Sequence, residues 1–255
     1  MVRKTHITTM ATLVLLVVGQ IQASPSELIQ NGDFETGYLH TDLYTVVKWT
    51  YIAIGSPPGH WFSHPAGIST APVSGYPVNF TSPGSYGTKI ALFDTMGDVG
   101  GGGTNTTLFQ AFAVTEPMTS VVLSFDMFVN DWSNGGPDTT PPTTQFGYVG
   151  LYPDGGTFPT VPPDPASDLT TLYLGVDSGS DPNPFTHYAF DITSSVGAVG
   201  DYNLVFGASA EYAGVLTMGI DNVSILAQPV PVPGALLLGG IGTGLITWLR
   251  RRRVL

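Results

Sequence analysis

The stretch "TSVVLSFDMFV", Thr119 to Val129, places Val121, Leu123, Phe125 and Met127 on alternate positions. "DYNLVFGASA", Asp201 to Ala210, does the same with Tyr202, Leu204, Phe206 and Ala208. A period of two is a strand signal, because successive side chains in an extended chain point to opposite faces. The same pattern marks Thr45–Ile54, Thr88–Asp94, Thr107–Val114, Gln145–Tyr152, Thr171–Val176, Phe185–Ile192 and Val215–Leu226. Between these runs stand many of the 32 glycines and 21 prolines, with Asn and Asp beside them. Short strands cut by such turns predict an all-β sandwich in a single domain. The Pro-rich stretches 137–142 and 159–165 read as loops, since proline has no N–H to give a sheet ladder.

Only 11% of the 255 residues are charged, against roughly 25% in ordinary soluble domains. With 42% hydrophobic residues a core can be buried, so Ser, Thr, Asn, Gly and Pro must build the surface. That balance suits a turn-rich exported protein and does not suit a helical cytosolic enzyme. All 19 acidic residues lie between Glu27 and Asp221, where the basic residues are Lys48 and Lys89 alone. This middle region carries a net charge of −17, against −11 for the whole chain. Such a field excludes nucleic-acid binding, which depends on clustered Lys and Arg. It offers oxygen ligands to hard cations such as Ca²⁺. There is no cysteine, hence no disulfide frame, and a domain of about 200 residues needs none.

The two ends give an address. Residues 1–23 have a basic start (Arg3, Lys4), an apolar run from Met10 to Val18 and small residues near Ala23. These are the regions of a secretory signal peptide, cleaved after Ala23. At the other end Ala235–Leu249 is uncharged, with Trp248 at its margin and Arg250, Arg251, Arg252 and Arg253 directly behind. This reads as a single, short transmembrane helix whose arginines stay in the cytoplasm, leaving the domain outside.

The tail "VPVPGALLLGGIGTGLITWLRRRR" resembles the PEP-CTERM sorting signal of Gram-negative bacteria. Residues 229–255 hold its three parts in order: a Pro-x-Pro box at Pro231, Val232 and Pro233, a Gly-rich apolar helix, and the arginine cluster. Val232 stands where that family usually has Glu. The resemblance implies recognition by an exosortase, a membrane protease-transpeptidase. An inner-membrane precursor would then be processed and sent to the cell surface or a biofilm matrix.

Within the domain, residues 24–228, "ELIQNGDFETG" (Glu27 to Gly37) and "MGIDNVSIL" (Met218 to Leu226) go together. The pair resembles the galactose-binding-like jelly rolls found in many carbohydrate-binding modules, where such opening and closing strands lie side by side. The resemblance implies a structural Ca²⁺ held by side-chain oxygens of Glu35 and Asp221 and by carbonyls near Gly32 and Asp33. Without it, residues 31–33 read as a simple turn and Asp221 as a strand-edge carboxylate.

Other patterns carry less. "DWSNGGPD" (131–138) and "DSGSDPN" (177–183) lack EF-hand spacing and read as solvated loops. His60 and His64 lack the Glu of H-E-x-x-H and lie among prolines, so they read as loop histidines. No G-x-S-x-G elbow is present, and no spacing singles out a hydrolytic carboxylate pair. Trp61, Tyr86 and Trp132, each flanked by loop-type residues, are the candidates for stacking on sugar rings. The expectation is a non-catalytic exported protein of the cell surface or matrix that binds exopolysaccharide. A glycan-active hydrolase or lyase and a self-associating adhesin are the alternatives.

Overall fold

The computed structural model describes residues 24–36, 48–54, 60–65, 68–78, 88–94, 104–132, 145–156, 168–175, 182–196, 198–210 and 215–231. Residues 26–227 form one compact unit; a second comprises residues 1–25 and 228–255, of which 24–25 and 228–231 are described. No helix among the described residues is long and apolar enough to cross a membrane. The segment Ala235–Leu249, Val232, Pro233 and the four arginines lie outside the described residues, as do residues 1–23.

Eleven strands are described: β1 (Ser26–Glu27), β2 (Thr50–Ile54), β3 (His60–Pro65), β4 (Lys89–Asp94), β5 (Thr104–Val114), β6 (Met118–Asp131), β7 (Gln145–Pro153), β8 (Thr170–Gly175), β9 (Thr186–Asp191), β10 (Gly200–Ala210) and β11 (Leu216–Pro229). They make two sheets. The first runs β3-β4-β11-β6-β9, with β1 also on β11; the second runs β2-β5-β10-β7-β8. From β4 to β11 the chain alternates between sheets except at the β7–β8 pair, giving arrays 4-11-6-9 and 5-10-7-8. That wrapping is a jelly-roll β-sandwich.

The alternating runs do what their period requires. Val121, Leu123, Phe125 and Met127 of β6 are fully buried between the sheets, facing Leu204, Phe206 and Ala208 of β10. Phe125 and Phe206 meet edge to face at 5.1 Å, a favoured aromatic geometry. One strand departs from expectation. The "HWFSHP" segment is the edge strand β3 rather than a loop, with Pro65 at its end, where an edge tolerates proline.

The outer face of the first sheet is closed over. Ile90, Leu92, Phe128 and Phe185 pack beneath Ala71 and Val78. The segment carrying these two is pinned by Asp94, whose Oδ2 accepts the N–H groups of Val73 (2.7 Å) and Ser74 (2.9 Å). Among the described residues, no such segment lies over the β2–β5 margin of the second sheet, where Thr50, Ala111 and Ala113 are exposed and Ile52 is 39% exposed.

Candidate functional site

Two places gather polar chemistry. The first is the junction where the start of the domain meets β11. Along β11 the inward residues are Leu216, Met218 and Ile220, then Val223, Ile225 and Ala227. The alternation slips by one residue at Asp221–Asn222, and Asn222 takes a left-handed φ of 52°. Such a slip leaves both residues outside the core-facing phase.

The opening motif packs into this irregularity. Asn31 (φ 52°) and Phe34 (φ 54°) bracket a turn closed by the Phe34 N–H on the Asn31 carbonyl at 3.2 Å. The Asn31 side chain holds Thr36 from both sides, accepting from its N–H and donating to its carbonyl. The turn drives Phe34 into the core against Trp49, ring centroids 5.5 Å apart. The Gly32 carbonyl accepts the Val223 N–H at 2.9 Å. The backbones touch so closely that a Cβ on Gly32 would sit 1.8 Å from the Val223 carbonyl oxygen.

Gly32 thus bonds to β11 two residues past Asp221, and the charges of Asp126 of β6, Glu35 and Asp33 act on Asp221. Glu35 accepts from Thr88 Oγ1 (2.7 Å) and from the Lys89 N–H (2.9 Å). Burial opposes its ionisation, but these bonds and the Lys89 charge prevail and hold its carboxyl below the ordinary value. Asp221 is fully buried, and burial pushes its carboxyl up to about 7; the Asn222 N–H opposes that rise, while Asp126, Glu35 and Asp33 add to it. Asp221 Oδ1 accepts that N–H at 2.7 Å, but Oδ2 has no hydrogen-bond partner. Asp126 accepts from Asn222 Nδ2 (2.8 Å) and pairs with His187 Nδ1 (2.7 Å). An orphaned buried carboxylate oxygen among like charges is chemically suited to a hard cation. Among the described residues no three acidic or imidazole side chains form a metal-binding group by themselves.

The second place is the outer face of the second sheet, whose register lays its side chains out in rows. Thr50, Phe109, Val205 and Gly150 form one row across β2, β5, β10 and β7. Ile52, Thr107, Gly207, Tyr148 and Leu174 form the next. Ala111, Asn203 and Tyr152 form a third. Tyr148 lies flat on Gly207, where an added Cβ would fall 1.9 Å from the ring. Its hydroxyl pairs with Thr107 Oγ1 at 2.8 Å and donates to Asn105 Oδ1 at 3.4 Å. Burial pushes the phenols of Tyr148 and Tyr152 to about 12, so both stay neutral.

At the β2–β5 edge this face opens into a cleft of about 260 Å³. Its walls are Gln30, Lys48, Thr50, Phe109, Gln110 and Ala111. Gln110 builds the cleft rather than facing a ligand. Its amide accepts the Gln30 N–H (2.7 Å) and donates to the Gln30 and Lys48 carbonyls (2.8 and 3.2 Å). The half-buried Phe109 ring lines the cleft together with the exposed side chains of Gln30, Lys48 and Thr50.

The aromatics singled out from sequence fall elsewhere. Trp61 lies inside β3 and is 1% exposed, packed on Phe93 at 5.6 Å, which leaves no ring face for a sugar. Trp132 is half-buried against Tyr76 at 5.0 Å, and its indole N–H donates to Thr217 Oγ1. Tyr86 lies outside the described residues. His60 and His64 sit on β3, and the buried His64 has its Nε2 3.2 Å from the Ile68 carbonyl oxygen. The face of the second sheet had a signal in "QFGYVGLYP": Phe146, Tyr148 and Tyr152 occupy the phase opposite to core-facing Val149 and Leu151.

No family model and no curated protein matches the chain. Among solved structures it is similar to the enzymatically active domain of tailspike protein 4 from bacteriophage CBA120 (TM-score 0.44, 14% identity). That match covers 78% of this chain and 21% of the other, so this chain spans about a fifth of the tailspike chain. It is also similar to TmCBM61 solved with β-1,4-galactotriose (TM-score 0.43, 11% identity, 80% and 99% covered). A third is the family 11 carbohydrate-binding module from Clostridium thermocellum with a β-1,3-1,4-mixed-linked tetrasaccharide (TM-score 0.35, 10% identity, 82% and 99% covered).

Proposed function

We propose that this chain is an exported, non-catalytic surface or matrix protein that binds polysaccharide on the outer face of its second sheet. The observation that carries the reading is the cleft at the β2–β5 edge. A half-buried aromatic ring surrounded by an exposed amide, a hydroxyl and an ammonium is what a sugar ring requires: an apolar face to cover and hydroxyls to pair. The address rests on the signal-peptide pattern and the PEP-CTERM-like tail, which make an exosortase the processing partner. The junction of Glu35, Asp221 and the carbonyls near Gly32 and Asp33 would hold a structural Ca²⁺. That cation would stabilise the strand contact beside the cleft, since Gln30 and Trp49 belong to the same local network.

The polysaccharide reading is tested by titrating soluble oligosaccharides into the protein and by depletion onto insoluble polysaccharide. Phe109→Ala should weaken binding of any accepted glycan about tenfold, equivalent to about 1.4 kcal/mol. Thr50→Ala, at an exposed position, should weaken it less and leave melting unchanged. Retention of full affinity in both variants would move the site off this face.

A further inference from the structure

Resting on that polysaccharide reading, we infer that the bound glycan is acidic, built with carboxylated sugars, and that Lys48 selects it. Between Glu27 and Asp221 the chain has two cations. Lys89 is committed: its Nζ donates to the Glu35 carbonyl at 2.9 Å and its N–H to the Glu35 carboxylate. Lys48 is different. It is exposed, stands on the wall of the cleft, and makes no ion pair with any described carboxylate, although its region carries 19 acidic residues. Salt-bridging partners were plentiful in composition, and among the described residues none pairs with this cation.

Its position is also held at a cost. Lys48 has a φ of 72°, a left-handed conformation that disfavours residues with a Cβ by roughly 1–2 kcal/mol. The backbone is fixed on its C-terminal side. Its carbonyl accepts Gln110 Nε2 at 3.2 Å, and the next residue, Trp49, is buried with its indole N–H on the Asn31 carbonyl at 3.2 Å. The ammonium therefore projects from a rigid base beside Phe109, Gln30 and Thr50. A ring stacked on Phe109 can offer hydroxyls to Gln30 and Thr50 and a carboxylate to Lys48. The net −17 of the surrounding region acts against a polyanion, but screening at about 8 Å in physiological salt blunts distant charges more than a contact pair.

The test uses the full chain in a non-glycosidic detergent, with uronic-acid oligomers and their carboxyl-reduced, neutral counterparts of identical linkage. Acidic oligomers should bind about three- to fivefold tighter than their neutral twins, the range of a partly exposed ion pair. Lys48→Gln should erase that preference, bringing the acidic oligomer down to the affinity of its neutral twin measured on the same variant, with the melting temperature kept. Equal or tighter binding of the neutral twin overturns the inference and leaves the polysaccharide reading standing, as does a preference that survives Lys48→Gln. Failure of every oligomer, acidic and neutral, overturns the polysaccharide reading itself and the inference with it.

Discussion

Gly32→Ala should lower the melting temperature of the protein by roughly 10–15 °C or prevent folding, followed by circular dichroism. The new methyl would lie 1.8 Å from the Val223 carbonyl oxygen, a backbone atom that has no rotamer to yield. Relief requires separating the opening turn from β11, which breaks the Val223 N–H bond to the Gly32 carbonyl and shifts Phe34 in the core. Losses of this type reach about 3–5 kcal/mol, and each kcal/mol shifts melting by about 2–4 °C at this domain size. Asp33→Ala next door is the control, with a small effect expected. A Gly32→Ala protein melting within 2–3 °C of the parent, a margin set by the same scaling, would show that the turn and β11 are not in register as described.

The second large effect concerns Asp221. Its carboxyl ordinarily titrates at 3.8 and is raised to about 7 in the folded protein. The native state therefore holds a proton that the unfolded chain has released, and stability without metal must fall as pH rises between those values. At about 1.4 kcal/mol per pH unit, some 2 kcal/mol should disappear between pH 5.5 and pH 7. In EDTA, melting should be lower at pH 8 than at pH 5.5, and Asp221→Asn should flatten that difference and stabilise the pH 8 protein. Added calcium should act in the opposite sense on the parent. It would restore stability at pH 8 by about 2.7 kcal/mol at a hundredfold excess over Kd, and do less at pH 5.5, where protons compete. Asp221→Asn should abolish the calcium response, and Glu35→Ala should weaken it. A calcium response intact in Asp221→Asn would remove that residue as a ligand.

Much of the sandwich was legible because burial on one face writes itself as alternation. The runs over β6 and β10 are examples, with every core-facing residue assigned in advance found buried or packed on the core. Failures came where a local signal overrode the pattern. β3 was hidden because the prolines around His60–Pro65 speak for a loop, and only its edge position makes Pro65 acceptable. Of the run expected from Thr45, residues 45–47 lie outside the described residues, and β2 begins at Thr50, after Lys48 turns left-handed and Trp49 dives into the core. The acidic junction was reached by resemblance rather than by spacing, as Glu35 and Asp221 are far apart in sequence. Asp126 was missed altogether, since an acid in the polar phase of a strand reads as a solvated residue. The outer face of the second sheet was not legible either, because Phe146, Tyr148 and Tyr152 are aromatic in the phase opposite to the core and look like ordinary strand residues.

The place of β11 in the first sheet has a mechanical meaning. It is an interior strand, bonded to β4 on one side and β6 on the other, with β1 added near its end at Ser26–Ala227. A domain tethered through its C-terminus takes a pull along this strand, parallel to its axis. Withdrawal then demands that ladders on both flanks shear together, instead of opening one hydrogen bond at a time as a peeled edge strand would. A last strand held in the middle of a sheet thus resists a pull on its C-terminal end, in a chain without a single cysteine.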